Sequence, residues 1–181
     1  MFREAIILIR ECNERHPALP AILNNLAHAL KDEGRFEEAE ARFREALVIH
    51  REVHGHRDPD EVGYLSNLGC MLAAQGELDQ AGTMMREALA KGEALLEWDD
   101  PGMAACLCNM AFYLVKVGRL AEAEKAAREG LTIYQRIHGE EHPDIVEALS
   151  RLGDILGHAG KIPEALIRYQ GAVEMARKLF L

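Results

Sequence analysis

The 181-residue sequence carries no basic excess: 21 Lys and Arg face 30 Asp and Glu, a formal net charge of −9. Nucleic-acid binders present basic stripes, so this balance argues against a phosphate-binding surface and a nucleic-acid partner. No uninterrupted apolar run approaches the ~18 residues of a membrane span, so no membrane partner is expected. The start, Met1-Phe2-Arg3-Glu4, has no basic segment leading into an apolar one, hence no signal peptide is read there. The four cysteines, Cys12, Cys70, Cys106 and Cys108, lack the spacing of a disulfide framework and read as reduced thiols of a cytoplasmic protein. Gly-x-x-x-x-Gly-Lys, Gly-x-Gly-x-x-Gly and Gly-x-Ser-x-Gly are missing as well. No catalytic residue and no cofactor is therefore assigned, and an enzyme reading has little to stand on.

What the sequence does have is a period. Pro17, Pro59, Pro101 and Pro143 recur every 42 residues, as do Gly34, Gly76, Gly118 and Gly160, and Ala39, Ala81, Ala123 and Ala165. Asn25, Asn67 and Asn109 keep the same interval, with Arg151 in the fourth copy. Independent residue types sharing one period mark stacked structural repeats rather than a single mixed core.

Inside each unit the apolar residues fall at helical spacing. In the first, Ile22, Leu26, Ala29 and Leu30 make one stripe, and Phe36, Ala39, Phe43, Ala46 and Leu47 make another. The recurrent glycine between them stands where a helix must stop and turn, because glycine reaches positive φ without strain. Each unit therefore reads as an αα-hairpin. Asp58-Pro59-Asp60-Glu61 supplies an N-cap, a proline at the first helical position and first-turn acids. Asp100-Pro101 and His142-Pro143-Asp144 are variants of this joint. Gly55 and Gly139 end the preceding helices, whereas Glu97-Trp98 predicts a different exit loop from the second unit. Pro20 predicts a late start for the first helix of its unit. The chain divides as one domain, 1–181: a half repeat over 1–16, then 17–58, 59–100, 101–142 and 143–181. Residues 2–17 copy the second half of a unit, since Phe2-Arg3-Glu4-Ala5 repeats Phe43-Arg44-Glu45-Ala46.

The pattern resembles the tetratricopeptide repeat. Its signature falls on Leu26, Ala27, Leu30, Gly34, Ala39, Phe43 and Ala46 in the first copy. The second has Leu68, Gly69, Leu72, Gly76, Ala81, Met85 and Ala88, and the fourth Leu152, Gly153, Leu156, Gly160, Ala165, Tyr169 and Ala172. The third departs most, with Ala127 at the usual aromatic and Gly130 at the usual alanine, which predicts its loosest packing. The common repeat has about 34 residues; the longer form here is similar to the kinesin-light-chain type. The resemblance implies an all-α, right-handed superhelical solenoid serving as a non-catalytic scaffold for a protein or peptide, with the first helices lining the inside.

With the recurrent asparagine taken as inward, helical spacing defines the inner face. The expected peptide-binding residues are Asn24, Asn25, His28 and Lys31, then Ser66, Asn67 and Cys70. Cys108, Asn109, Phe112 and Lys116 follow, then Ser150, Arg151 and Asp154. An amide offers donors and an acceptor, so a row of Asn25, Asn67 and Asn109 suits the backbone of an extended peptide. Two readings stay open: such asparagines can instead bridge neighbouring helices, and Phe112 can equally belong to the core. Inner charges are mixed, Lys31, Lys116 and Arg151 against Asp32, Glu147 and Asp154, which does not make a carboxylate clamp. His50 and His54 have i, i+4 metal-ligand spacing, but no third ligand is evident at useful spacing, so no metal is assigned. The rival function is a structural module that self-assembles as a homo-oligomer through uncapped ends, or a regulatory fragment of a larger multidomain protein.

Overall fold

The computed structural model describes residues 16–180; the half repeat and Cys12 lie outside them, apart from His16. The described residues form an all-α solenoid of eight helices with no strand. They are α1 (Leu19–Asp32), α2 (Phe36–His54), α3 (Glu61–Gln75) and α4 (Leu78–Leu95), then α5 (Pro101–Lys116), α6 (Leu120–His138), α7 (Pro143–His158) and α8 (Ile162–Phe180). Helices α1/α2, α3/α4, α5/α6 and α7/α8 pair as hairpins, and each second helix also packs on the first helix of the next pair. None of the described helices is long and apolar enough to cross a membrane.

Termination follows local chemistry. Gly34, Gly76, Gly118 and Gly160 take φ values of +75 to +87°, where a side chain would be strained, and the chain reverses there. The joints diverge from the expected single design. Asp100 Oδ1 accepts the Gly102 N–H at 2.6 Å and His142 Nδ1 accepts that of Asp144 at 3.2 Å, capping α5 and α7. Asp58 does not cap α3. Its carboxylate accepts the Asp60 N–H at 3.0 Å in a turn, and the helix begins only at Glu61. The exit from α4 is extended at Leu96, without the glycine used after α2 and α6.

The core also corrects two expectations. In α1 the buried residues are Leu19, Pro20, Leu23, Ala27 and, as expected, Leu30, while Ile22, Leu26 and Ala29 are half-buried. Phe36 is exposed at the mouth of its helix, although Ala39, Phe43, Ala46 and Leu47 are buried as expected. The third unit is not loose. Its small residues let α5 and α6 approach so closely that a Cβ at Gly130 would sit 2.8 Å from Cys108 Sγ and 3.0 Å from the Ala104 carbonyl. Absence of the aromatic is answered by backbone approach rather than by a void.

Candidate functional site

The first helices do not stack evenly, and the groove follows from that. Helix α3 lies along α5, whereas α5 and α7 meet at few points. Where α3 and α5 touch, their facing residues are short, and their polar groups pair with each other. Asn109 Nδ2 donates to Asn67 Oδ1 and Ser66 Oγ, both at 3.3 Å, and Asn67 Nδ2 donates to Asn24 Oδ1 at 3.1 Å. The asparagine row is thus a ladder that ties α1, α3 and α5 together, the bridging reading left open by the sequence. It runs through Asn24, not Asn25, because rotation of α1 about its axis brings the earlier residue to α3. Asn25 is exposed on the wall of a neighbouring cavity. Asn109 retains 9 % exposure and lines the adjoining cavity, whereas Ser66 retains 1 %.

A cavity of about 380 Å³ lies on the concave side and takes walls from all four first helices: His28 and Lys31 of α1, Asn67 and Cys70 of α3, Cys108 and Asn109 of α5, Glu147 and Arg151 of α7. A second cavity of about 310 Å³ adjoins it through Asn67 and is lined by Asn24, Asn25 and Tyr64. A third, about 170 Å³ and mostly apolar, opens where α5 and α7 diverge, between Phe112, Val115 and Ile155 and rimmed by Lys116, Arg151 and Asp154. Phe112 is half-buried and carries Lys116 Nζ 5.2 Å over its ring. Ser150 lines none of these; its hydroxyl donates to the Val146 carbonyl within α7.

Arg151 stands between the first and third cavities. Its Nε and Nη2 donate to Glu147 Oε1 at 3.0 and 2.6 Å, so this cation is held in place and partly neutralised. Asp154 accepts the Tyr169 hydroxyl at 2.6 Å. Burial, with Lys31 second, lowers the pKa of the His28 imidazole and disfavours its charged form. Burial raises the Cys70 thiol and lifts that of Cys108 to about 11, which leaves both as poor nucleophiles. The floor is therefore mixed and uncommitted in charge. Tyr134 and Phe43 reach the main cavity from second helices, which an inner face drawn on first helices alone misses. The signal for Tyr134 is its column: His50 and Gly92 occupy the same place in the period, so no constant core residue is required there.

Comparison with known families decides the lineage. Residues 18–94 and 102–178 match the tetratricopeptide repeat. The chain belongs to the tetratricopeptide repeat family. Repeats of this family generally act as non-catalytic scaffolds for protein–protein interaction, and that is the broad role of the fold. Among solved structures, BtubC (BKLC) from P. vanneervenii is similar over 98% of this chain and 71% of its own, with 22% identity and a TM-score of 0.72. A putative kinesin light chain of nearly identical TPR-like repeats from Podosopora anserina is similar over 99% of this chain and 85% of its own, at 18% identity and a TM-score of 0.63. A point variant of that protein gives 18% identity and a TM-score of 0.67, over 98% of this chain and 84% of its own. These tetratricopeptide neighbours are kinesin-light-chain-like in fold. No curated protein matches by sequence.

Proposed function

We propose that this tetratricopeptide chain is a non-catalytic scaffold working as one domain, and that its concave groove holds a peptide segment of a partner protein. The observation that carries the reading is the cavity walled by all four first helices, which shares Cys108 and Arg151 with an apolar pocket and Asn67 with an amide-lined one. A peptide laid across them would find donors and acceptors for its backbone at Asn24, Asn25 and Asn67. Its apolar side chain would enter beside Phe112, with His28, Lys31, Cys70, Cys108, Lys116, Arg151 and Asp154 around it. The ladder does not exhaust Asn67, whose second N–H is unclaimed by Asn24. The acidic balance supports a cytoplasmic protein partner over nucleic acid or membrane.

The test is capture of a partner by the wild-type chain beside His28→Ala/Lys31→Ala/Arg151→Ala, with helicity of both checked by circular dichroism. These side chains line the cavity without belonging to the ladder, so the fold should survive. Loss of the partner with helicity intact supports the groove. A partner retained by the triple variant places binding elsewhere.

A second reading, self-association, is favoured by one observation. Ile162, Leu166, Ile167 and Val173 of α8 are each more than half exposed. Sedimentation of the wild type beside Leu166→Glu/Val173→Glu separates it: an oligomer that the variant dissolves supports assembly through α8.

A further inference from the structure

The joint between α6 and α7 gathers two histidines and an aspartate that neither the core nor the groove requires. His138 is the last residue of α6, His142 caps α7 and Asp144 lies in its first turn. His138 Nε2 lies 3.2 Å and His142 Nδ1 3.4 Å from Asp144 Oδ2, and the three donor atoms are all within 4.8 Å of one another. Bonds of about 2.0–2.1 Å to one tetrahedral ion place its ligand atoms roughly 3.3–3.4 Å apart. His138 Nε2 is buried and makes no hydrogen bond, so the short approach to Asp144 is misaligned as one. His142 Nδ1 accepts the Asp144 backbone N–H, so a metal bound at that nitrogen would take the place of this capping hydrogen bond.

We propose that His138, His142 and Asp144 form a binding site for a late first-row divalent cation, zinc foremost. Two imidazole nitrogens and one carboxylate oxygen are the donor set that suits zinc, and three protein ligands leave one position for water or a partner's side chain. Asp144 also lines the concave cavity, which puts the site beside the groove. The site stands whether or not the groove takes a peptide. Capture has one requirement. The two rings stack with centroids 3.6 Å apart and planes 6° apart, and the lone pairs of parallel rings do not converge. One ring must turn about χ2 to complete the site.

The chain supplies its own contrast. At the first joint His50 and His54 stand 3.6 and 3.7 Å from Asp58, with ring centroids 4.9 Å apart, a wider set than the third. That Asp58 is the third group the sequence did not reveal for the His50–His54 pair. At the second joint Leu96 occupies the place of His138, one period earlier.

The experiment is equilibrium dialysis of the full chain against zinc, with visible absorption of the cobalt(II)-loaded chain as a geometric readout. Wild type should take up one zinc per chain and show tetrahedral cobalt bands without thiolate charge transfer. His138→Leu, which imports the residue of the second joint, and His142→Ser, which keeps a helix cap, should each lose that uptake. Asp144→Asn serves as a third variant should either fail to fold by circular dichroism, and His54→Leu should bind as wild type does. The proposal is overturned by a wild type that takes up no stoichiometric zinc, by uptake that survives these substitutions, by loss in His54→Leu alone, or by cobalt–thiolate bands.

Discussion

The second and third units answer one structural demand in opposite ways. Where first and second helices pack near the joint, the third unit buries Met103 against Ile133 in an apolar cluster. One period earlier the same places hold Glu61 and Lys91. Glu61 is 0 % exposed, yet it stands at a position filled by Leu19, Met103 and Ile145 in the other units, all buried. Its carboxylate is held by Arg51 Nε at 2.5 Å and by Lys91 Nζ at 2.8 Å. Arg51 continues to Glu87 at 2.6 Å, and Lys91 donates to the His56 carbonyl at 2.6 Å. The first joint is thus pinned by buried charge contacts linking α2, α3 and α4, whereas the second buries only apolar groups there and keeps its polar contacts, the Asp100 cap and the Arg136–Asp99 pair at 2.7 Å, nearer the surface. A buried ion pair fixes geometry more than it adds stability, because desolvation consumes most of the Coulomb gain.

Breaking one side of the pair should have the largest effect. Lys91→Met leaves the buried Glu61 with Arg51 and the more distant His56 ring, and should cost about 3 kcal/mol, the lower end for removing one partner of a buried ion pair. Urea denaturation reads it, and a loss within error of zero would mean that water reaches Glu61 freely. Importing the third unit's solution should do the reverse. Glu61→Met/Lys91→Ile should be neutral or more stable by roughly 1–2 kcal/mol, as buried ion pairs replaced by apolar residues often are. A double variant weaker than either single variant would show that the second unit has no room for that packing.

The third unit's solution can be tested from its own side. Its close approach depends on Gly130, whose added Cβ would meet Cys108 Sγ and the Ala104 carbonyl. Gly130→Ala gains up to ~1 kcal/mol of helix propensity but overpacks by roughly 1–3 kcal/mol, for a net loss of about 1 kcal/mol. Gly82 is the useful control. Its Cβ would chiefly meet the Tyr113 hydroxyl, the far end of a side chain that can swing aside. Gly82→Ala should therefore come out milder, and equal losses at the two sites would remove the distinction.

These differences show where the sequence speaks and where it does not. The 42-residue period and the glycines at positive φ settle the hairpins and their turns, because both are local and repeated. Column by column, Glu61 and Lys91 were also visible as charges in apolar columns. What a period does not fix is the rotation of each helix about its own axis. Hence Asn24 rather than Asn25 joins the ladder, and Tyr134 reaches the groove from a second helix. Nor does it state how near two backbones come, which is why Gly130 looked like a weak point. Cross-joint pairings such as His50 and His54 with Asp58 depend on the loop path between helices, which composition leaves open.

Acid should sharpen the contrast between the two joints, with the smallest effect of the set. Burial alone would raise the Glu61 carboxyl, but hydrogen bonds from Lys91 and Arg51 outweigh it and hold the group below the usual carboxylate range. A carboxyl depressed in the folded state adds stability that is fully present above its unfolded pKa of about 4.3 and is lost as pH falls through the folded value. The wild type should therefore lose urea resistance more steeply than Glu61→Met/Lys91→Ile as pH falls below about 5, with no difference in slope between pH 7 and that point. Other carboxylates remain in both chains, so the quantity to read is the difference between the two slopes. Parallel slopes would mean that Glu61 titrates alike folded and unfolded, and its ion pairs would then not be what holds the first joint.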